Sequence, residues 1–261
     1  LDILIQNIPG RPDVATTAAR AYLMKGEVTR ARELVEKALQ ENKINPSLHA
    51  MMAKIYFAQQ QYKDALAEVN LLVDNSVVMP DVIYIGALSA LKADDKKQAR
   101  ALVGILKKGA PDAWPTLHAE TVLALSERDK EKAYELASTA IDRYPEKPEA
   151  LSLYVAIAPS MIKKEEIIAR VTQLCDAAET TACRMILAGL YESSGKKDLA
   201  LNQIKEAIRI SKGNEILYHA LAQFYARNDM VKEALDEYEG ILNKNPDDLQ
   251  AAMMLALINQ N

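Results

Sequence analysis

The sequence predicts an all-α fold built from a repeated helical hairpin, and three observations carry that reading. Ala, Leu, Glu and Lys are abundant among the 261 residues, types that lose little side-chain freedom in a helix, and β-branched runs are scarce. Only nine Gly and ten Pro punctuate the chain. After successive polar turns stand Ala31, Ala65, Ala99, Ala133, Ile167, Ala200 and Ala234, at one constant interval that shortens by a single position only between Ile167 and Ala200. Chance does not hold such a period through seven units.

The period sets the elements in order, each unit being a helix A, a tight turn and a helix B. Leu1 to Ile8 reads as the tail of a preceding helix B. The first hairpin, about 12–45, turns at Gly26, where a residue tolerating positive φ ends a helix at little cost. The second (46–79), third (80–113) and fifth (148–180) open on Pro46, Pro80 and Pro148, residues suited to the first helical turn. The fourth spans 114–147, and the sixth (181–214) turns at Gly195. In the seventh (215–248) the apolar residues recur at three- and four-residue steps, Leu217, Leu221, Tyr225 and then Ala234, Tyr238, Ile241, so each helix carries one buried stripe. Residues 247–260 read as helix A of an eighth unit. A lone hairpin cannot cover its stripe, and stacking successive hairpins does. The chain starts at Leu1 and begins and ends within helical pattern, so it is expected to be a piece of a longer protein.

Charge narrows the partners. The net charge of −4 comes from 32 basic and 36 acidic residues mixed along the chain, which leaves no basic footprint for nucleic acid or an anionic membrane. No stretch approaches the roughly 20 apolar residues that span a bilayer, so no membrane insertion is expected in this segment.

With a small residue at Ala19, Ala53, Ala87, Ala188, Ala222 and Ala256, an aromatic three residues on at Tyr22, Tyr56, Tyr191 and Tyr225, and a closing Pro at Pro9, Pro111, Pro145 and Pro246, the sequence resembles the tetratricopeptide repeat over essentially its whole length. The resemblance implies a single right-handed superhelical solenoid of about seven hairpins over 1–261, with partial units at both ends. Two places depart from the family pattern. The fourth helix A has Glu120 and Thr121 where the family has Leu and a small residue. The fifth unit has Val155, Pro159 and then Ile167 in place of the opening Ala. Pro159 lacks a backbone donor and should end or kink its helix. Altered packing between units four and five is expected there, as a bend or as sequence drift.

Nothing in the sequence points to an enzyme, and no catalytic residue, metal or cofactor is expected. His49, His118 and His219 lack a second His or Cys at i+3 or i+4 and read as helix-surface residues. No phosphate-binding loop or nucleophile motif is present. Trp114 reads as a local packing residue.

Cys175 and Cys183 stand about the turn 178–181 in roughly mirrored positions, so a bridge is geometrically reasonable. The segment is similar to the cysteine-rich secreted relatives of the repeat, in which a Cys pair at this separation staples successive helices. A bridge would imply maturation in an oxidising compartment such as a periplasm or the cell envelope. The alternative is two unpaired thiols packing as small hydrophobes in a cytoplasmic protein.

The resemblance also implies that a protein or peptide partner lies along a concave surface lined by the A helices. The Lys and Asn that clamp a terminal carboxylate in the chaperone-adaptor branch are absent; matching places hold Tyr84, His118 and His219, then Leu88, Val122 and Gln223. What remains is an apolar stripe of Phe57, Tyr84, Leu88, Leu91, Val122 and Leu125, with His118 among them. It is read either as a contact surface for an apolar segment or as residues that bury one another. Three function classes follow: an interaction scaffold, by resemblance in a bacterial envelope system exporting polysaccharide or protein; a self-associating array; and the accessory part of an enzyme.

Overall fold

The computed structural model describes residues 11–212 and 214–259. Among them are fifteen α-helices and no strand. They are α1 (Pro12–Met24), α2 (Val28–Glu41), α3 (Pro46–Ala58), α4 (Tyr62–Asp74), α5 (Pro80–Lys92), α6 (Lys96–Gly109), α7 (Trp114–Ser126) and α8 (Lys130–Arg143). The rest are α9 (Pro148–Ile157), α10 (Lys164–Ala178), α11 (Thr181–Glu192), α12 (Lys197–Ile210), α13 (Glu215–Arg227), α14 (Val231–Lys244) and α15 (Leu249–Ile258). Odd-numbered helices are the A helices and even-numbered ones the B helices. The helix expected over 1–8, Pro9 and residue 260 lie outside the described residues. No helix among the described residues is long and apolar enough to cross a membrane. The chain divides into two compact units, one up to Ala140 and one from Ile141.

One turn design joins helix A to helix B. Gly26, Gln60, Asp94, Arg128, Gly195 and Asp229 all have φ between 58° and 77°, and they follow one another at the repeat period except across the fifth hairpin. Just beyond each, a backbone N–H reaches back over the turn: Glu27 to Tyr22 O, Gln61 to Tyr56 O, Asp95 to Ala90 O, Asp129 to Ala124 O, Lys196 to Tyr191 O and Met230 to Tyr225 O, at 2.8–3.0 Å. This left-handed closure satisfies carbonyls that the helix end would leave open. The fifth hairpin lacks it. There α9 stops at Ile157 and passes into a 3-10 turn, Ala158–Ser160, that contains Pro159, as expected of a residue with no N–H to continue the helix.

In the first unit the small residues meet at the helix crossings. Ala19, Ala53 and Ala87 on the A helices, and Ala31, Ala65, Ala99 and Ala133 on the B helices, are wholly buried. A methyl there lets the two backbones approach where a larger side chain would hold them apart. Polar ties join successive hairpins at the rim: the Arg32 guanidinium lies 5.2 Å from the centre of the Tyr56 ring, and Lys96 Nζ donates to Ser126 O at 2.7 Å.

The second unit repeats the scheme with Ala188, Ala222, Ile167, Ala200 and Ala234 buried. Lys164 Nζ donates to Ser193 O at 2.5 Å, which matches the tie made by Lys96 in the first unit. In α10 the last buried residue is Cys175, which is bridged to Cys183 of α11, and the adjacent Leu174 is half-buried. Ala256 on α15 departs from the crossing series. It is exposed, as are Leu249, Met253 and Leu257.

Candidate interaction face of the A helices

Helix A residues one period apart face one another in the first unit. Tyr84 on α5 and His118 on α7 are related in this way, and Tyr84 Oη lies 2.8 Å from His118 Nδ1, the donor being set by the imidazole tautomer. The two rings meet edge to face with centroids 5.8 Å apart, and the Trp114 ring lies tilted 5.2 Å from His118. Offset and edge-on contacts of this kind are the favoured aromatic geometry.

The remaining stripe residues flank this cluster. Phe57 on α3 is half-buried and packs edge-on to Tyr62 at 5.7 Å. Tyr84 and Leu91 are half-buried against the core of the middle hairpins, and Leu88 and Val122 are half-buried as well. Leu125 is 40% exposed. Beside them Lys54 pairs with Asp81 on the next A helix. Burial pushes the Asp81 carboxyl up, but the hydrogen bond and charge of Lys54 outweigh it and hold the group below its ordinary range.

The histidines differ from the surface residues expected of them. His49 contacts Glu68 Oε2 through Nδ1 at 2.7 Å and Lys43 O through Nε2 at 2.9 Å. His219 Nε2 lies 2.9 Å from Asp248 Oδ2. Both side chains are largely enclosed, at 13% and 14% exposure. The Glu68 carboxylate from within α4, the Lys43 carbonyl of a turn and the Asp248 N-cap carboxylate of α15 supply these contacts, which spacing within one helix does not reveal. Among the described residues no cluster of three or more His, Cys, Asp or Glu could hold a metal ion.

Cys175 and Cys183 are joined by a disulfide, with Cα atoms 5.3 Å apart.

The tetratricopeptide repeat family profile matches residues 22–76 and 184–258. This chain is a tetratricopeptide-repeat protein. In fold it is similar to a tetratricopeptide repeat protein from Parabacteroides merdae ATCC 43184, with a TM-score of 0.62 at 13% identity over 85% of this chain and 89% of that one. YrrB, described as a TPR protein with an unusual peptide-binding site, gives 0.48 at 13% identity over 84% of this chain and 96% of its own. The APC/C hetero-tetramer Cut9–Hcn1 gives 0.49 at 13% identity over 98% of this chain and 44% of that one. No curated protein matches the sequence. The first of these likenesses establishes the fold alone.

Within this tetratricopeptide array the sequence marked Glu120 only as a departure from pattern, and its partners come from other helices. The side chain is 6% exposed, and its Oε1 pairs with Lys107 Nζ of α6 at 2.8 Å and Lys132 Nζ of α8 at 3.2 Å. Burial pushes this carboxyl up, and the hydrogen bonds and charges of the two lysines more than offset that and lower it. The adjacent Thr121, also buried, donates its hydroxyl to Leu117 O at 2.7 Å in its own helix.

Proposed function

We propose that this tetratricopeptide array is a protein–protein interaction scaffold that receives an apolar peptide or helix of a partner protein along the A-helix row Phe57, Tyr84, Leu88, Leu91, His118, Val122 and Leu125. The observation that carries this reading is the row itself. It keeps apolar and aromatic surface partly open on successive A helices of one unit, ending at the exposed Leu125, and contiguous apolar surface of that kind marks contact sites. The polar tie between Tyr84 and His118 holds two of these side chains in place before a partner arrives, which lowers the ordering cost of binding.

The setting we propose is a bacterial cell-envelope assembly for export or polysaccharide secretion. The disulfide supports an oxidising compartment. Leu88→Asp and Val122→Asp, made together in the full chain, test the binding face. Loss of partner pull-down with the helical signal retained supports it; unchanged pull-down with the fold retained overturns it, and unfolding shows that the row is core instead. A solution mass that rises with protein concentration would favour self-association.

A further inference from the structure

The bridged joint in the second unit differs from every other connection between a helix B and the next helix A among the described residues. Only Glu179 and Thr180 separate α10 from α11, whereas the fully described connections 42–45, 75–79, 110–113, 144–147 and 245–248 have four or five residues. The short turn is closed by local contacts. Glu179 adopts φ 43° and donates its N–H to Cys175 O at 3.0 Å. Thr180 Oγ1 accepts the Cys183 N–H at 3.2 Å. Arg184 pairs with Asp176 at 3.1 Å across the same turn, and its other nitrogen donates to Gln203 of α12 at 3.0 Å. Cys175 and Cys183 are 0% and 2% exposed.

We infer that reductants reach the Cys175–Cys183 bridge only when this joint opens, so that the bridge does not act as a surface redox switch. Reduction by a dithiol begins when its thiolate attacks one Sγ in line with the S–S bond, forming a mixed disulfide and expelling the other cysteine as a thiolate. The second thiol of the reductant then closes its own disulfide and releases the first cysteine. The dithiol is oxidised by two electrons, and its two protons end on Cys175 and Cys183. The first attack needs an exposed sulfur, and the closed joint presents none. The rate therefore follows local opening of 175–184 rather than the chemistry of an open disulfide.

The experiment treats the full chain with dithiothreitol, quenches by alkylation and counts free thiols by mass. Reduction in native buffer is expected to be at least about ten-fold slower than in denaturing urea with the same reductant. Thr180→Val, which removes the cap on Cys183, is expected to speed native reduction about five-fold with the helical signal unchanged. Equal native and denatured rates overturn the inference, and so does an unchanged rate in a folded Thr180→Val. Two free thiols in protein purified from its source would overturn it together with the proposed compartment. Fast native reduction of an intact bridge overturns the inference alone.

Discussion

Gly86 and Glu120 occupy the same position on successive A helices, one repeat period apart, and each faces the two flanking B helices. A methyl on Gly86 would lie 2.6 Å from Val69 Cγ1 of α4 and 3.2 Å from Leu102 Cδ1 of α6. Glu120 reaches Lys107 of α6 and Lys132 of α8. One seat is filled by close backbone approach and the other by charge.

Gly86→Ala should therefore destabilise the fold even though alanine favours helix. Val69 is wholly buried and stiff at its branched Cβ, so overpacking outweighs the helix gain and leaves a net loss of about 1–2 kcal/mol. Gly104→Ala and Gly240→Ala meet nothing within 4 Å and should stabilise by up to about 1 kcal/mol. Urea midpoints of the three variants give the comparison.

Glu120→Gln should cost about 1–2 kcal/mol near neutral pH, moderated because both lysines are about half exposed. The Glu120 carboxyl is lowered in the folded protein, so its contribution is complete above the ordinary glutamate value of about 4.3 and is lost as pH falls through the lowered value. Acid titration of stability should accordingly fall less steeply for Glu120→Gln than for the parent. A steeper fall would show that the lysines do not stabilise the ionised form.

The left-handed turn residues offer a gain. Gln60→Gly and Arg128→Gly should each raise stability by about 0.5–1 kcal/mol, since φ of 59° and 65° costs a side chain more than the extra backbone freedom of glycine. Gly26→Ala should lower stability for the same reason. Thermal midpoints decide the sign.

Tyr238 stands where the other B helices carry Val35, Val69, Val103, Ala137, Val171 or Ile204. It is fully buried, and its hydroxyl has no hydrogen-bond partner among the described residues. Burial also pushes its phenol up. Tyr238→Phe should thus be neutral or stabilising by about 1 kcal/mol, read from urea denaturation, because an enclosed polar atom without a partner is removed and the ring is kept.

The repeat was legible because its period is written in small residues at the helix crossings, where no larger side chain fits. Pro159 was legible for a local reason, the missing N–H. The left-handed turn was visible in sequence only at Gly26 and Gly195, because Gln60, Asp94, Arg128 and Asp229 are held in that geometry by the backbone closure beyond them. Glu120 stood out as a misfit, but its lysines reach it from the B helices on either side, a relation set by stacking and not by helical spacing. The enclosure of His49 and His219 was hidden in the same way, since Glu68 and Asp248 reach them from neighbouring helices.

The proposed binding face is tested most directly by a photo-crosslinking side chain placed at Leu125 in the full chain and activated in the native source, with the same group at exposed Lys97 on α6 as reference. A discrete protein adduct is expected at 125, mapped by mass spectrometry to an apolar segment of the partner, and none at 97. No adduct at 125, or equal adducts at both positions, would contradict it.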